Sequence, residues 1–228
     1  MDAQLDVSRT FDLYNVIKIL VKASWVGGEQ MYTTEQVQND SSVGKEPVQC
    51  IKLRDGTSVT IRGMRSSDVD LILEMHQRLS KESIYFRYLS PYKPTSADLE
   101  RQCSMEGKAG FTLVAITNQA EEQMVGLACY RIDKDNPNVA EPAILVEDNF
   151  QGRGIGKQLI SALFRHAVSK RLEAFISFID PANRKVFNMV MNSGLPYICK
   201  YIDGMKEIRM SLSAGEQYLA TGITGDRP

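Results

Sequence analysis

Residues 151–157 are the stretch whose types and spacing could do chemistry: Gln151, Gly152, Arg153, Gly154, Ile155, Gly156 and Lys157. Three glycines alternate with longer side chains, two of them cationic. The apolar run Ala143-Ile144-Leu145-Val146 comes before it. After it, residues 158–164 place apolar side chains at helical spacing. The pattern reads as strand, tight glycine turn, helix start. Such a loop can turn consecutive backbone N–H groups toward one point, and a helix N-terminus adds positive potential there. The expected occupant is an anion, most simply a phosphorylated ligand.

The elements that must hold this loop follow in order along the chain. Asp55-Gly56 between two alternating segments predicts a hairpin with strands at about 48–53 and 57–63. Ser66-Ser67-Asp68 predicts the cap of a helix running to about Leu79. Residues 81–103 read as a short helix, a proline loop and a second short helix after Thr95, rich in aromatics (Tyr85, Phe86, Tyr88, Tyr92). Strands are expected at 111–117, 124–132 and 139–147, joined by turns at 119–122 and 133–138. Pro142 lies inside the third of these strands. It removes a ladder donor and implies an edge, a bulge or a splay. The helix after the loop should reach about Lys170, followed by a strand at 173–180. A helix starting at Pro181 should run to Asn192, with Gly194 as its stop. A hairpin around Asp203-Gly204 closes the domain. This order specifies an α+β domain over residues 48–212 with one glycine-loop crossover, not a repeating βαβ array.

Residues 1–47 form an extension of undefined role. Leu13, Val16, Ile17, Leu20 and Val21 fit one helical face, although Val16 to Val21 also fits a strand, and residues 36–47 read as a linker. The extension is expected to be a packing arm, a homodimer contact or a regulatory element. Residues 213–228 read as a flexible tail.

Composition narrows the classes. Lysine plus arginine total 27 against 28 acidic residues, a net charge of −1. No basic stripe stands out, so no nucleic-acid partner is expected. The apolar run from Leu13 to Val26 is interrupted by Lys18 and Lys22 and preceded by aspartates, which suits neither a signal peptide nor a membrane span. Cys50, Cys103, Cys129 and Cys199 have neither metal-ligand nor redox-motif spacing, so no metal is expected. They read as reduced thiols of a cytoplasmic protein. His76 and His166 read as helix-surface or satisfied core residues.

Three loop types compete for 151–157. A P-loop needs a glycine at the place of Gln151 and serine or threonine at the place of Gln158. A dinucleotide fingerprint needs G-x-G-x-x-G, whereas the spacing here is G-x-G-x-G and the flanking strands read as antiparallel. The third type is Q-x-x-G-x-G at a strand-to-helix turn, the pyrophosphate loop of acyl-coenzyme A binding. On Gln151 to Gly156, with the strand AEPAILVED before and an amphipathic helix after, the chain resembles the GNAT N-acetyltransferase superfamily. Asn183, with Val186, Met189 and Gly194, is similar to that family's fourth-helix motif. The stretches LRDGTSVTIRGMRSSD and SKESIYFRYLSP are more narrowly similar to bacterial protein lysine acetyltransferases, which modify acyl-CoA synthetases. The resemblance covers about residues 50–212.

The resemblance implies a GNAT fold, acetyl-CoA as donor, coenzyme A as product, and attack of an amine on a thioester. A lysine amine, with a reference pKa of about 10.4, must first lose a proton. Glu141, at the start of the strand before the loop, is the implied general base, directly or through water. A backbone N–H of Leu145 or Val146 is the expected oxyanion donor. The pantetheine arm would lie along Ile144–Val146 and be held by Asn183. The diphosphate would rest on N–H groups from Gln151 to Lys157, with Arg153 and Lys157 as nearby cations. Tyr85 and Tyr88 would border the acceptor groove. The family often has a tyrosine where this chain has Val190, so a dedicated general acid is in doubt. The leading acceptor is a protein lysine, such as one on an acyl-CoA synthetase. The alternatives are a small amine and a non-catalytic acyl-CoA sensor.

Overall fold

The computed structural model describes residues 49–91, 94–99, 109–119 and 121–212. The expected extension at 1–47, the tail at 213–228, and Tyr92 and Cys103 lie outside the described residues. Strands β1 (Gln49–Lys52) and β2 (Ser58–Gly63) form the expected first hairpin. A short 3-10 turn, Ser66–Asp68, leads into α1 (Val69–Arg78). Helix α2 (Lys81–Tyr88) is capped by Ser80, whose side chain accepts from the Ser83 N–H at 3.1 Å. There follow β3 (Gly110–Thr117), β4 (Met124–Ile132), β5 (Val139–Val146), α3 (Ile155–Ser169), β6 (Ala174–Ile179), α4 (Arg184–Met191), β7 (Tyr197–Ile202) and β8 (Met205–Ser211). Asp203 and Gly204 both take positive φ, 49° and 80°, which matches the right-handed twist of the β7–β8 hairpin.

Among the described residues, eight strands form one sheet in the order β1-β2-β3-β4-β5-β6-β8-β7. Helix α3 packs on one face: Ile155, Leu159 and Leu163 meet Ile61, Leu113, Val125 and Phe175. Helices α1 and α2 cover the other, where Ile72, Met75 and Ile84 meet Val114, Ile116, Leu127 and Leu145. Strand β3 contributes to both layers, which is why its sequence is a continuous apolar run rather than an alternating one. No helix among the described residues is long and apolar enough to cross a membrane. Cys50, Cys129 and Cys199 are free thiols.

Two expectations are corrected. The strands on either side of the glycine loop and its helix, β5 and β6, pair parallel, not antiparallel. A helix-length crossover delivers the chain back in the same direction, so parallel pairing follows. The fourth helix begins at Arg184, not Pro181. Asp180 accepts from the Ala182 N–H at 2.8 Å, and its carbonyl accepts from Asn183 at 2.9 Å. Residues 180–183 are therefore consumed by a turn, and Asn183 becomes the cap.

Candidate active site

Strand β5 is the spine of the site. Its ladder with β4 is anchored at both ends: the Asp133 N–H donates to the Val139 carbonyl at 2.9 Å, and the Glu147 N–H donates to the Val125 carbonyl at 3.0 Å. The antiparallel register is unbroken between these points. Alternation then gives β4 the N–H groups of Glu141, Ala143 and Leu145, while those of Ile144 and Val146 face the other way, toward β6. Yet β6 meets β5 only at Val139 and Ala140. Beyond Ala140 the two strands part. Pro142 is the first residue whose N–H would point into the gap, and it has none. The proline thus removes a donor that would have lacked a strand partner, without disturbing the β4 ladder.

The expected pair of oxyanion donors is thereby separated. The Leu145 N–H belongs to the β4 ladder, and that of Val146 faces the gap together with that of Ile144. The side chains divide by the same parity. Ile144 and Val146 pack toward α3, whereas Leu145 lies in the α1–α2 layer.

The glycine loop follows a 3-10 turn, Asp148–Phe150, that was not apparent in the sequence. Gly152 and Gly154 take φ of 73° and 92°. The Gln158 N–H is the first to close a helical bond, to the Gly154 carbonyl at 3.2 Å. The N–H groups of Ile155, Gly156 and Lys157 therefore start the helix with no carbonyl behind them, and are free for an anion. A Cβ on Gly156 would stand 3.3 Å from Met189 Cε and 3.6 Å from both Ile144 Cδ1 and Val146 Cγ2. Glycine here brings the helix start close to β5 and α4.

Gln151 does something different from its expected role. Its own N–H donates to the Asp148 carbonyl at 3.3 Å. Its side-chain amide donates to the Val146 carbonyl at 3.0 Å and to Ser83 Oγ at 3.1 Å, and accepts from Lys185 Nζ at 2.7 Å. One side chain thus joins β5, α2 and α4. Asp148 reinforces it, accepting from the Ser80 N–H at 2.9 Å and from the Ser80 and Ser83 hydroxyls at 2.8 Å. Burial works against the Asp148 carboxylate, but the Ser80 and Ser83 hydrogen bonds outweigh it and hold its pKa below the usual value. Ser83, Asp148 and Lys185 carried no sequence signal, because their partners lie tens of residues away.

The cations divide. Arg153 pairs with Asp55 in the β1–β2 turn at 2.6 Å and lies 4.9 Å over the Phe150 ring. Lys157 lines a cavity of about 310 Å³ between α3 and α4 with Lys185, Ile160, Phe164 and Met189. Asn183 caps its own helix, accepting from the Val186 N–H at 3.2 Å, so its oxygen is used locally. Val190 is buried in the core and supplies no acid.

On the α2 side, Glu141 shares its face with Leu145 and Cys129 by the strand's alternation. Its side chain retains solvent contact at the strand's edge. Surrounding protein nonetheless pushes the carboxyl pKa up by desolvation, with Arg87 and then Arg131 opposing and Asp133 adding to the rise. Tyr85 is exposed, and its hydroxyl donates to Asp180 at 3.2 Å, linking α2 to the end of β6. Tyr88 is half-buried instead. Its hydroxyl meets His76 Nε2 at 2.7 Å, and His76 Nδ1 lies 2.8 Å from the Ile72 carbonyl. A carbonyl can only accept, so Nδ1 carries the proton and Tyr88 donates. Of the two tyrosines, the structure brings Tyr85 to the gap and ties Tyr88 into the core; His76 is a satisfied core histidine.

Comparison with known proteins agrees with this geometry. The profile of the acetyltransferase (GNAT) family matches residues 74–190. Acetyltransferase Pat of Mycolicibacterium smegmatis is 30% identical over 141 residues, which are 60% of this chain and 42% of that protein's length. The GNAT domain of S. lividans PAT superposes with a TM-score of 0.64 at 23% identity, covering 72% of this chain and 96% of that one. A cAMP-binding acyltransferase from Mycobacterium smegmatis gives 0.50 at 22% identity, covering 73% and 48% respectively. At those identities the structures show the shared fold. On the family match, the eight-stranded sheet that parts after Ala140 and the glycine loop beside it, the chain belongs to the GNAT acetyltransferase family.

Proposed function

We propose that this chain is an acetyl-CoA-dependent N-acetyltransferase that acetylates the side-chain amine of a lysine in a protein, with Glu141 as general base. The observation that carries the reading is on β5. A single strand presents a carboxylate with a raised pKa, at Glu141, and the N–H of Val146, directed into the gap left by β6.

Acetyl-CoA supplies the thioester carbonyl. The N–H groups of residues 152–157, with Lys157 and Lys185, suit its diphosphate. Glu141 takes the proton from the acceptor amine, whose lone pair forms the new N–C bond. The Val146 N–H, with Ile144 beside it, donates to the oxygen as charge builds there. The C–S bond then breaks and coenzyme A leaves as thiolate. A thiol of pKa about 8.5 is a tolerable leaving group without a dedicated acid, which suits a buried Val190. The exposed Tyr85 borders the side from which the acceptor would enter. Likeness to Acetyltransferase Pat favours a protein acceptor, of which an acyl-CoA synthetase is the class the resemblance implies.

The test is incubation of the protein and acetyl-CoA with a cell lysate, followed by mass-spectrometric mapping of new acetyl-lysines. New sites are expected with the wild type, and Glu141→Gln should cut turnover about 10²- to 10⁴-fold. Unchanged turnover in Glu141→Gln would refute the base assignment. Tight acetyl-CoA binding with no acceptor among lysate proteins, polyamines or amino acids would favour the sensor instead.

A further inference from the structure

Arg87, near the end of α2, is the described cation most deeply set beside the reacting edge of β5. Its Nη2 donates to Cys129 Sγ at 3.7 Å, and its guanidinium carbon lies 4.8 Å over the Tyr88 ring. Its Nε is buried and, among the described residues, has no hydrogen-bond partner. Cys129 stands opposite Ala143 in the β4–β5 ladder, and Glu141 is two residues along on the same face, roughly 7 Å away by strand rise. A buried guanidinium needs compensating negative charge. Tyr88 does not provide it, since burial pushes its phenol up and keeps it protonated. The carboxylate in reach is Glu141.

We propose that Arg87 is a positioning residue for Glu141, holding that carboxylate ionised and turned toward the acceptor amine. This rests on Glu141 as the general base. The groups facing Glu141 are Arg87 and Tyr88 from α2, Cys129 and Arg131 from β4, and Asp133 from the turn that follows. Arg131 is directly opposite Glu141 but solvent-exposed, so its field is screened. Asp133 acts in the wrong direction. Arg87 is walled off from water at its Nε, and its field is correspondingly less screened. Burial raises the Glu141 pKa and Arg87 is the foremost influence lowering it, so the pair accounts for a base that is desolvated yet still charged.

The experiment measures release of the coenzyme A thiol from acetyl-CoA, with poly-L-lysine as acceptor, from pH 5.5 to 9.5. Arg87→Met should lose about tenfold in kcat at pH 6 and less than about twofold at pH 9, because the limb that reports Glu141 moves to higher pH. KM for acetyl-CoA should stay unchanged. Arg87→Lys should restore the profile, and Arg131→Met should leave it nearly unaltered. In a Glu141→Gln background, Arg87→Met should have no further effect at any pH. A loss by the same factor at every pH, or losses that multiply in the double variant, would overturn the proposal. If Arg87→Met does not fold, Arg87→Gln keeps polar hydrogens without the charge, and an unshifted profile there overturns it equally. Full turnover in Glu141→Gln, or no wild-type turnover of the polymer, would count against the proposed function itself.

Discussion

Gly154→Ala separates what the loop backbone does from what its side chains do. Gly154 caps α3 at φ 92°, ψ −8°. Residues with a Cβ find their small left-handed region near φ 50–70°, so alanine would be strained at this angle. A Cβ there would meet nothing within 4 Å, so the cost is one of backbone conformation alone. It amounts to about 1–2 kcal/mol for an L-residue. The variant can bear that strain in the free protein, or relieve it by turning the peptide and losing the aim of its N–H groups. Bound diphosphate would demand the strained form in either case. The unfolding free energy of the coenzyme A-saturated variant should therefore fall by about 1–2 kcal/mol. Whatever part is missing in the free protein should appear as weaker binding, up to about 5- to 30-fold. Urea unfolding with and without coenzyme A, together with titration calorimetry, measures both parts. kcat should be nearly unchanged, since the reacting groups are on β5. Gly156→Ala is the control. It lies within the helix, and its Cβ would press at 3.3 Å on Met189 Cε, the free end of a flexible side chain. Its effect should stay within about 1 kcal/mol. Unchanged stability and affinity in Gly154→Ala, or a larger loss in Gly156→Ala, would refute the reasoning.

Three further outcomes are expected. Burial opposes the Asp68 carboxylate, but Arg62, paired at 2.7 Å, and the Arg65 N–H outweigh it and lower its pKa below 3.8. That stability is present above pH 3.8 and lost as pH falls through the lower folded value. Arg62→Met strands the buried charge and should cost about 3–5 kcal/mol by urea unfolding at pH 7. His166 stacks on Phe111 and lies 3.1 Å from the Tyr130 hydroxyl, and burial lowers its pKa from 6.5 to about 4. The unfolded chain therefore takes up a proton that the fold refuses, so stability should fall by on the order of 2 kcal/mol between pH 6.5 and about 4, and His166→Gln should flatten that slope. Finally, wild-type kcat/KM should rise with pH as the Glu141 carboxyl, its pKa raised by burial, ionises, and Glu141→Gln should lack that limb.

Features that depend on neighbouring residues were legible in the chain. Asp203-Gly204 marked its hairpin because both residues tolerate positive φ. Pro142 marked the place where β5 loses its second neighbour, because a missing N–H is a property of one residue. The glycine spacing of 151–157 excluded the P-loop and the dinucleotide loop before any fold was known. Other readings were open because they turned on partners far along the chain. Asn183 could as well cap a helix as hold a ligand, and it caps. Gln151 and Arg153 looked like parts of the anion cradle, yet the first braces β5 against two helices and the second pairs with Asp55.

The sequence by itself determined the α+β class, the glycine loop and the strand that leads into it. Glycine conformation, proline chemistry and apolar periodicity are short-range properties that require no knowledge of the fold. Only the tertiary structure decided which face of that strand does what. Whether the Leu145 or the Val146 N–H enters the gap depends on the parity of the β4 register, and a shift of one residue would exchange them. Whether Glu141 has a cation behind it depends on α2 crossing β5, which sets Arg87 beside a residue 54 positions later in the sequence.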